Sequence, residues 1–523
     1  MTQVTQKFLT GAQTMALAAI AATAATPRPS GETQAEHARR ITSGIWTQLT
    51  DPSIDTGGVW RMVWLGLSPD NANMAYIAQN FDGSNQFAVV IRGTVDNPID
   101  MMEDLEVGKV VPFTGTRSPV PLAVSAGAML AFTKIINARS ITETPVELTL
   151  EGEFDRPGPA IPAGTTLATA LADLLAAAPS TPQPVVYVTG HSLGGCVATM
   201  LAPYLRDQSQ APNNPQFGLA TYAAPTAGQQ TFAQFVLNGP WCLVATYANA
   251  YDVVPRAWCD LDTAEGWYPP SKGPVANAEV KLLLTELDKL RKGNVYVQPD
   301  VGLGPLNPGY DTYDHLLVEE TKEDYLGQVA YQHANSTYLA LLGGTQVLAG
   351  PVVTAVSPTL GEGGTTVTVN GTGFTRDSVV DFGTIPCTQW TVDPSGTMIT
   401  ATAPVGHGLV DVRVTNDLGT SPSVPLGRFA YGGPAPVAVS SVAPSRGNAG
   451  DQVTISGSGF AQGAAVQFGD TAADPNTVTV KSATEITATV PQRVPIPKTV
   501  DVTVTVGVQT SPTGPPDEFT YEA

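Results

Sequence analysis

Pro184-Val-Val-Tyr-Val-Thr-Gly-His-Ser-Leu-Gly-Gly195 is the stretch from which the fold can be read. Its first half, Val185-Val-Tyr-Val188, is a short apolar, β-branched run of the kind that forms a buried strand. The residues from Gly194 to Leu205 have helical spacing, and between the two Gly190-His-Ser-Leu-Gly194 fits the pattern GxSxG. In that context the serine sits on a sharp strand-to-helix turn in strained dihedrals. Its Oγ then projects at the carboxyl edge of a sheet, with a helix N-terminus beneath it. Glycine at 190 and 194 lets neighbouring elements approach without a side-chain clash. A Gly-rich chain also produces GxSxG by chance, as a turn with an idle serine; strand, helix and the fuller GHSLGG string together favour a nucleophile at Ser192. His191 reads as a structural residue of the turn, pointing away from the Oγ of its neighbour.

A neutral serine hydroxyl is a poor nucleophile, so a histidine must take its proton and a carboxylate must orient that histidine. The apolar run Leu243–Tyr247 leads into Ala248-Asn-Ala-Tyr-Asp252-Val-Val-Pro255, which puts Asp252 on a loop at a strand end, where an orienting acid belongs. Its other reading is a turn-forming Asp before Val-Val-Pro. Two histidines follow. His315 lies in the acidic Tyr310-Asp-Thr-Tyr-Asp-His315, where Asp311 and Asp314 offer it ion pairs. His333 stands at the start of an apolar helix that ends the domain and is preferred as the base. Attack on a carbonyl also needs donors for the developing oxyanion, each worth ~3–4 kcal/mol of barrier. The backbone N–H of Leu193 supplies one; Thr94, which follows the buried run Phe87–Ile91 through Arg92 and Gly93, supplies the other.

Outward from this centre, short apolar runs at Met74–Ala78, Phe87–Ile91, Val185–Val188, Gly218–Tyr222 and Leu243–Tyr247 alternate with helical stretches. The helices are expected at Pro121–Asn137, Leu167–Ala178, Gly194–Leu205, Ala278–Arg291 and Tyr325–Leu342. Such alternation predicts an α/β unit with a mostly parallel sheet. Beyond residue 350 the texture changes to Val/Thr alternation broken by Gly and Pro. There Ser357-Pro358, Gly361, Gly371-Thr-Gly-Phe374 and Phe382-Gly383 recur as Ala443-Pro444, Gly447, Gly457-Ser-Gly-Phe460 and Phe468-Gly469, and Phe429-Ala-Tyr431 recurs as Phe519-Thr-Tyr521. A repeat unit of many short strands predicts two all-β sandwiches. The domains expected are therefore 1–345, 351–432 and 436–523.

RGT at 92–94, GHSLGG, Thr221-Tyr-Ala-Ala-Pro225-Thr-Ala-Gly228, the Asp252-Val-Val-Pro loop and QHxxxxYLxLLG from Gln332 together resemble the class 3 lipase family of α/β-hydrolases, over roughly residues 10–343. The paired sandwiches resemble immunoglobulin-like IPT/TIG domains. The first resemblance implies a triad of Ser192, Asp252 and His333, in that chain order, with Thr94 and Leu193 as the oxyanion hole. It also implies a short lid at Val95–Met102, with Pro98, Ile99, Met101 and Met102 as its apolar face. The chain departs from the family pattern by an extra segment around residues 139–166 and by about 50 residues between Asp252 and the histidines. The latter include a stripe of Val280, Leu283, Leu284 and Leu287, which either caps the site or packs on the core.

The bulk properties narrow the partners. A chain of 523 residues with a formal charge of −20 repels a phosphate backbone, so no nucleic acid is expected. The expected partner is a lipid or other ester, with transient contact at a lipid interface; no ligand of the sandwiches can be read. Four cysteines without a CxxC or Cys/His cluster point to buried free thiols rather than a metal, although Cys242 and Cys259 are a conceivable pair. No cofactor is implied. No apolar stretch reaches the ~20 residues of a membrane span. The Ala-rich Met15–Thr26 reads either as the core of a secretory signal or as a packed helix, and its scarce Leu and single preceding Lys7 favour the helix. Sandwich modules on a hydrolase point, by analogy, to an extracellular setting.

The leading function is ester hydrolysis, with triacylglycerols ahead of short-chain esters, phospholipids and polyesters; the rival is a binding or adhesion protein on an idle hydrolase scaffold. Gly343–Pro351 reads as a linker. A chain ending at Gly350 is expected to fold and to cleave soluble esters at near-native rate, and a folded but inactive product would refute this division of the chain.

Overall fold

The computed structural model describes residues 7–70, 72–93, 105–140, 162–261, 268, 274, 276–307, 322–432, 437–492, 498–507 and 509–522. They fall into two compact units, Met1–Gly350 with Asn416–Thr420, and Pro351–Thr415 with Ser421–Ala523.

The first unit is built on β1 (Trp60–Leu67), β2 (Met74–Asn80), β3 (Gln86–Ile91), β4 (Val110–Phe113), β5 (Leu122–Ser125), β6 (Arg139–Ser140), β7 (Val185–His191), β8 (Gln216–Tyr222) and β9 (Leu243–Tyr247). Strands β4 and β5 pair with each other; the rest form one sheet of order β6-β1-β2-β3-β7-β8-β9. Neighbours from β3 to β9 are parallel, while β2 opposes β1 and β3, and β6 opposes β1. Five strands thus share one direction, as the alternation of runs and helices led us to expect. β1 was not legible as a strand. A bulge between Met62 and Trp64 breaks its two-residue period, so that Trp60 and Trp64 bury on opposite faces of the sheet.

Alternate residues of each strand feed two cores. Phe87, Val89, Val186 and Val188 meet the helices Ala126–Asn137, Leu167–Ala177 and Leu193–Gln208; Ala88, Val90, Val185 and Tyr187 face the other side. The helix expected over Pro121–Asn137 begins only at Ala126, because Ser125 caps it and Leu122–Ser125 is the strand β5. Val280, Leu284 and Leu287 of the helix Ala278–Leu290 are buried in the first of the two cores. That stripe packs on the core.

On the second face lies α1 (Gly11–Ile20), which contains the first half of the Ala-rich segment. Thr10 and Gln13 form a capping box at its start. Its small residues let it approach the sheet closely, with Met15, Leu17 and Ile20 fully buried. Tyr76 donates to the carbonyl of Leu17 at 2.8 Å and Tyr222 to that of Gly11 at 2.6 Å. All four cysteines are free thiols, so Cys242 and Cys259 do not pair.

In the second unit, each sandwich packs a four-stranded sheet on a six-stranded one, and the repeated aromatic residues prove to be core positions. Phe382 of the first Phe-Gly pair meets Phe429 edge-on at 5.5 Å, and Phe468 meets Phe519 in the same way at 5.4 Å. Gly371 and Gly457 recur because a Cβ at either would strike a carbonyl of the adjacent strand, that of Val352 or Ala438.

Leu17→Ala is expected to destabilise the first unit by about 2–5 kcal/mol, measured by denaturant unfolding of the full chain. A loss below about 0.5 kcal/mol would show that α1 contributes little to the core.

Candidate functional site

The turn after β7 carries Ser192 at φ 58°, ψ −132°, a left-handed φ that a non-glycine residue adopts only under constraint. The constraint is visible on both sides. Ser192 N–H donates to the carbonyl of Tyr222 at the end of β8, at 2.9 Å, and the carbonyl of Ser192 accepts from Cys196 N–H to open the helix Leu193–Gln208. A Cβ on Gly190 would strike the carbonyl carbon of Gly194, and one on Gly194 would strike the carbonyl oxygen of Ile91. The two glycines of the motif are there because the backbones of β3, β7 and the helix are in contact.

Asp252, fully buried, lies in the loop after β9. Its Oδ1 accepts from Val254 N–H at 3.0 Å. Its Oδ2 accepts from His333 Nδ1–H at 2.8 Å and from the Tyr338 hydroxyl at 2.9 Å. An ionised carboxylate can only accept, so the imidazole proton sits on Nδ1 and Nε2 is left as an acceptor. Ser192 Oγ is 2.8 Å from that Nε2, in position to donate its proton to it. The structure therefore brings Ser192, His333 and Asp252 into one chain of hydrogen bonds.

The stretch expected to form one helix over Tyr325–Leu342 is two, Lys322–His333 and Asn335–Leu341, broken at Ala334, whose ψ is 144°. His333 consequently ends a helix instead of opening one. Asn249 clamps this break to the acid loop. Its side-chain amide donates to the carbonyl of Gln332 at 3.0 Å and to the Gln332 side chain at 2.6 Å, while its backbone N–H donates to the Tyr338 hydroxyl at 2.9 Å. Burial, reinforced by the neighbouring Asp252 carboxylate, pushes the Tyr338 phenol well above its usual range, so it stays a donor. Tyr338, Asn249 and Gln332 had not been singled out individually. Their signal was present, since Gln332 and Tyr338 stand in the QHxxxxYLxLLG string and Asn249 in the acid loop.

His191 packs its ring 4.7 Å from that of His333 and edge-on to Tyr338 at 5.5 Å. Burial, with His333 beside it, holds its pKa well below the usual histidine value, so it is a neutral wall of the site. Leu193 is the first residue of its helix, its backbone N–H directly following Ser192. Thr94, the lid residues Pro98, Ile99, Met101 and Met102, and His315 lie outside the described residues. Gly93, just before Thr94, runs close to the elbow: a Cβ there would come 3.2 Å from that of Ser192. Among the described residues no group of three or more His, Cys, Asp or Glu is placed to hold a metal ion.

The site and sheet can be set against known proteins. A family model described as lipase (class 3) matches residues 88–260, and one described as IPT/TIG domain matches 351–431 and 436–521. A stretch of 49 residues is 51% identical to secreted mono- and diacylglycerol lipase 1 of Fusarium solani, covering 9% of this chain and 13% of that enzyme. Among solved structures, M37 lipase superposes with a TM-score of 0.51 over 64% of this chain and 93% of its own, at 21% identity, which is a likeness of fold. Lipase II from Rhizopus niveus aligns over 47% of this chain and 72% of its own at 17% identity, with a TM-score of 0.31. The first unit thus has the α/β-hydrolase fold, its residues 88–260 match the class 3 lipase model, and two stretches that match the IPT/TIG model follow.

Proposed function

We propose that this carboxylic ester hydrolase is a lipase that cleaves acylglycerols through an acyl-enzyme formed on Ser192. One observation carries the reading: the hydrogen-bonded chain from Ser192 through His333 to Asp252, with both links at 2.8 Å, on a strained strand-to-helix turn. His333 Nε2 takes the Ser192 proton as Oγ attacks the ester carbonyl. The negative charge that develops on the carbonyl oxygen is met by the N–H of Leu193 and by Thr94. His333, now an imidazolium held by Asp252, passes the proton to the departing alkoxide, and the acyl group remains on Ser192. A water molecule then gives its proton to His333, its oxygen bonds to the acyl carbon, and the fatty acid leaves as Ser192 regains the proton.

The Fusarium enzyme's name supports partial glycerides among the substrates and an extracellular setting. Pro98, Ile99, Met101 and Met102 are the proposed lid, an apolar face for contact with the oil phase. The domains proposed remain 1–345, 351–432 and 436–523. A chain-length series of p-nitrophenyl esters, read with and without an emulsified interface, tests the substrate class; a steep preference for soluble short esters would remove the lipase reading while leaving an esterase.

The base assignment has its own test. Ser192→Ala and His333→Ala are each expected to lower kcat by about 10³-fold or more, and the double variant hardly further, with the fold intact by circular dichroism. His315→Ala is expected to keep at least roughly a tenth of the activity. The reverse pattern, His315 essential and His333 dispensable, would move the base elsewhere.

Tyr338→Phe removes one donor to the Asp252 carboxylate and leaves the Asn249 N–H without its acceptor. We expect kcat to fall by roughly tenfold, the equivalent of one hydrogen bond to a charged group, and therefore far less than in His333→Ala. Steady-state kinetics with p-nitrophenyl butyrate would decide this, and an unchanged kcat would show that the phenol has no part in holding the acid.

A further inference from the structure

The two sandwiches fill their separate cores from matching positions but differ along one outer row. In the first, Leu360 of strand Leu360–Gly361 and Leu409 of strand Leu409–Asn416 both stand opposite Ala430. Residues directly opposite each other in a sheet point to the same face. Phe429 and Tyr431 fill the core, so Ala430 and its two neighbours face outward. Leu360 is 61% exposed and Leu409 64%. Val405, 78% exposed, extends the row, for a Cβ on Gly363, three residues past Leu360, would come within 2.9 Å of its backbone.

The second sandwich builds the same strands without these side chains. Arg446 and Thr499 flank Thr520, and the two threonines join by a side-chain hydrogen bond of 2.8 Å. Gln492, after Val490-Pro491, stands where Val405 follows Ala403-Pro404. The fold therefore does not require apolar residues at these positions. Three large, exposed aliphatic side chains held side by side mark a contact surface.

We propose that this row of the first sandwich is an adsorption surface that lays the protein on the apolar, uncharged phase of its insoluble ester; naming that phase rests on the ester-hydrolase reading above. The row is spread over three adjacent strands and a loop, as suits a flat phase, and none of its four residues carries a charge. On a chain of net charge −20, docking to an anionic surface would be opposed, whereas an uncharged oil surface is open to apolar contact.

The test grafts the second sandwich's residues onto the first in the full chain: Leu360→Arg, Val405→Gln and Leu409→Thr together. Adsorption is read as depletion of protein from water by a trioctanoylglycerol emulsion, beside hydrolysis of soluble p-nitrophenyl butyrate and sedimentation velocity. Adsorption is expected to weaken roughly tenfold or more, with soluble turnover unchanged. The reverse graft, Arg446→Leu, Gln492→Val and Thr499→Leu, is expected to strengthen it, and decides the matter should the first variant fail to fold. Unchanged adsorption in a folded first variant, or no gain from the reverse graft, would overturn the proposal. So would a native dimer that the first variant converts to monomer without loss of adsorption, since the row would then be covered by a second copy. Loss of adsorption in the variant of a chain that hydrolyses no ester would defeat the enzymatic reading and leave the surface standing.

Discussion

Backbone crowding at the junction of β3, β7 and the helix Leu193–Gln208 is the constraint on which the site depends. Ser192 keeps a left-handed φ because its N–H is tied to Tyr222 and its carbonyl already belongs to the helix. That arrangement closes only if the flanking residues have no Cβ, for Gly194 touches the last carbonyl of β3 and Gly190 touches Gly194. Strain at Ser192 is thus maintained by contacts that themselves have no chemistry. The same crowding brings Gly93 against the elbow.

Asp252 and His333, the proposed acid and base, are held by a second, independent device. Asp252 and His333 come from elements far apart in sequence, and Asn249 joins them by reaching from the acid loop to Gln332 on one side and Tyr338 on the other. The Tyr338 hydroxyl in turn donates a hydrogen bond to the acid's Oδ2, the oxygen that also accepts from His333. Both oxygens of the buried carboxylate therefore have defined partners, in a place where an unpaired charge costs most.

Legibility followed from how local each feature is. The elbow was readable because strand, turn and helix are contiguous and each carries its own pattern. The parallel strands were readable because burial on both faces makes continuous apolar runs. β1 was not, since its bulge scrambles the period, and the last helix was read as continuous because Ala334, a strong helix former, gives no sign of a break that the surrounding contacts impose. Likewise the cap-or-core ambiguity of Val280–Leu287 is a question about what lies opposite a stripe, which no periodicity can answer. Tyr338 was visible as a letter in a motif, but its bond to Asp252 spans 86 residues and is a property of the fold.

The second face of the sheet is covered by α1, near one end of the first unit, and by Tyr338 and Leu339, near the other. Contacts so distant in sequence form late, because a long loop must close before they return any free energy. His333 and Tyr338 arrive with that closing segment. The turn at Ser192 can therefore be framed early, by neighbouring strands, while His333, the proposed base, is delivered only when the unit's two ends meet. The proposed hydrolysis would then be the last property the chain acquires as it folds, and a partly folded chain would carry a shaped but silent elbow.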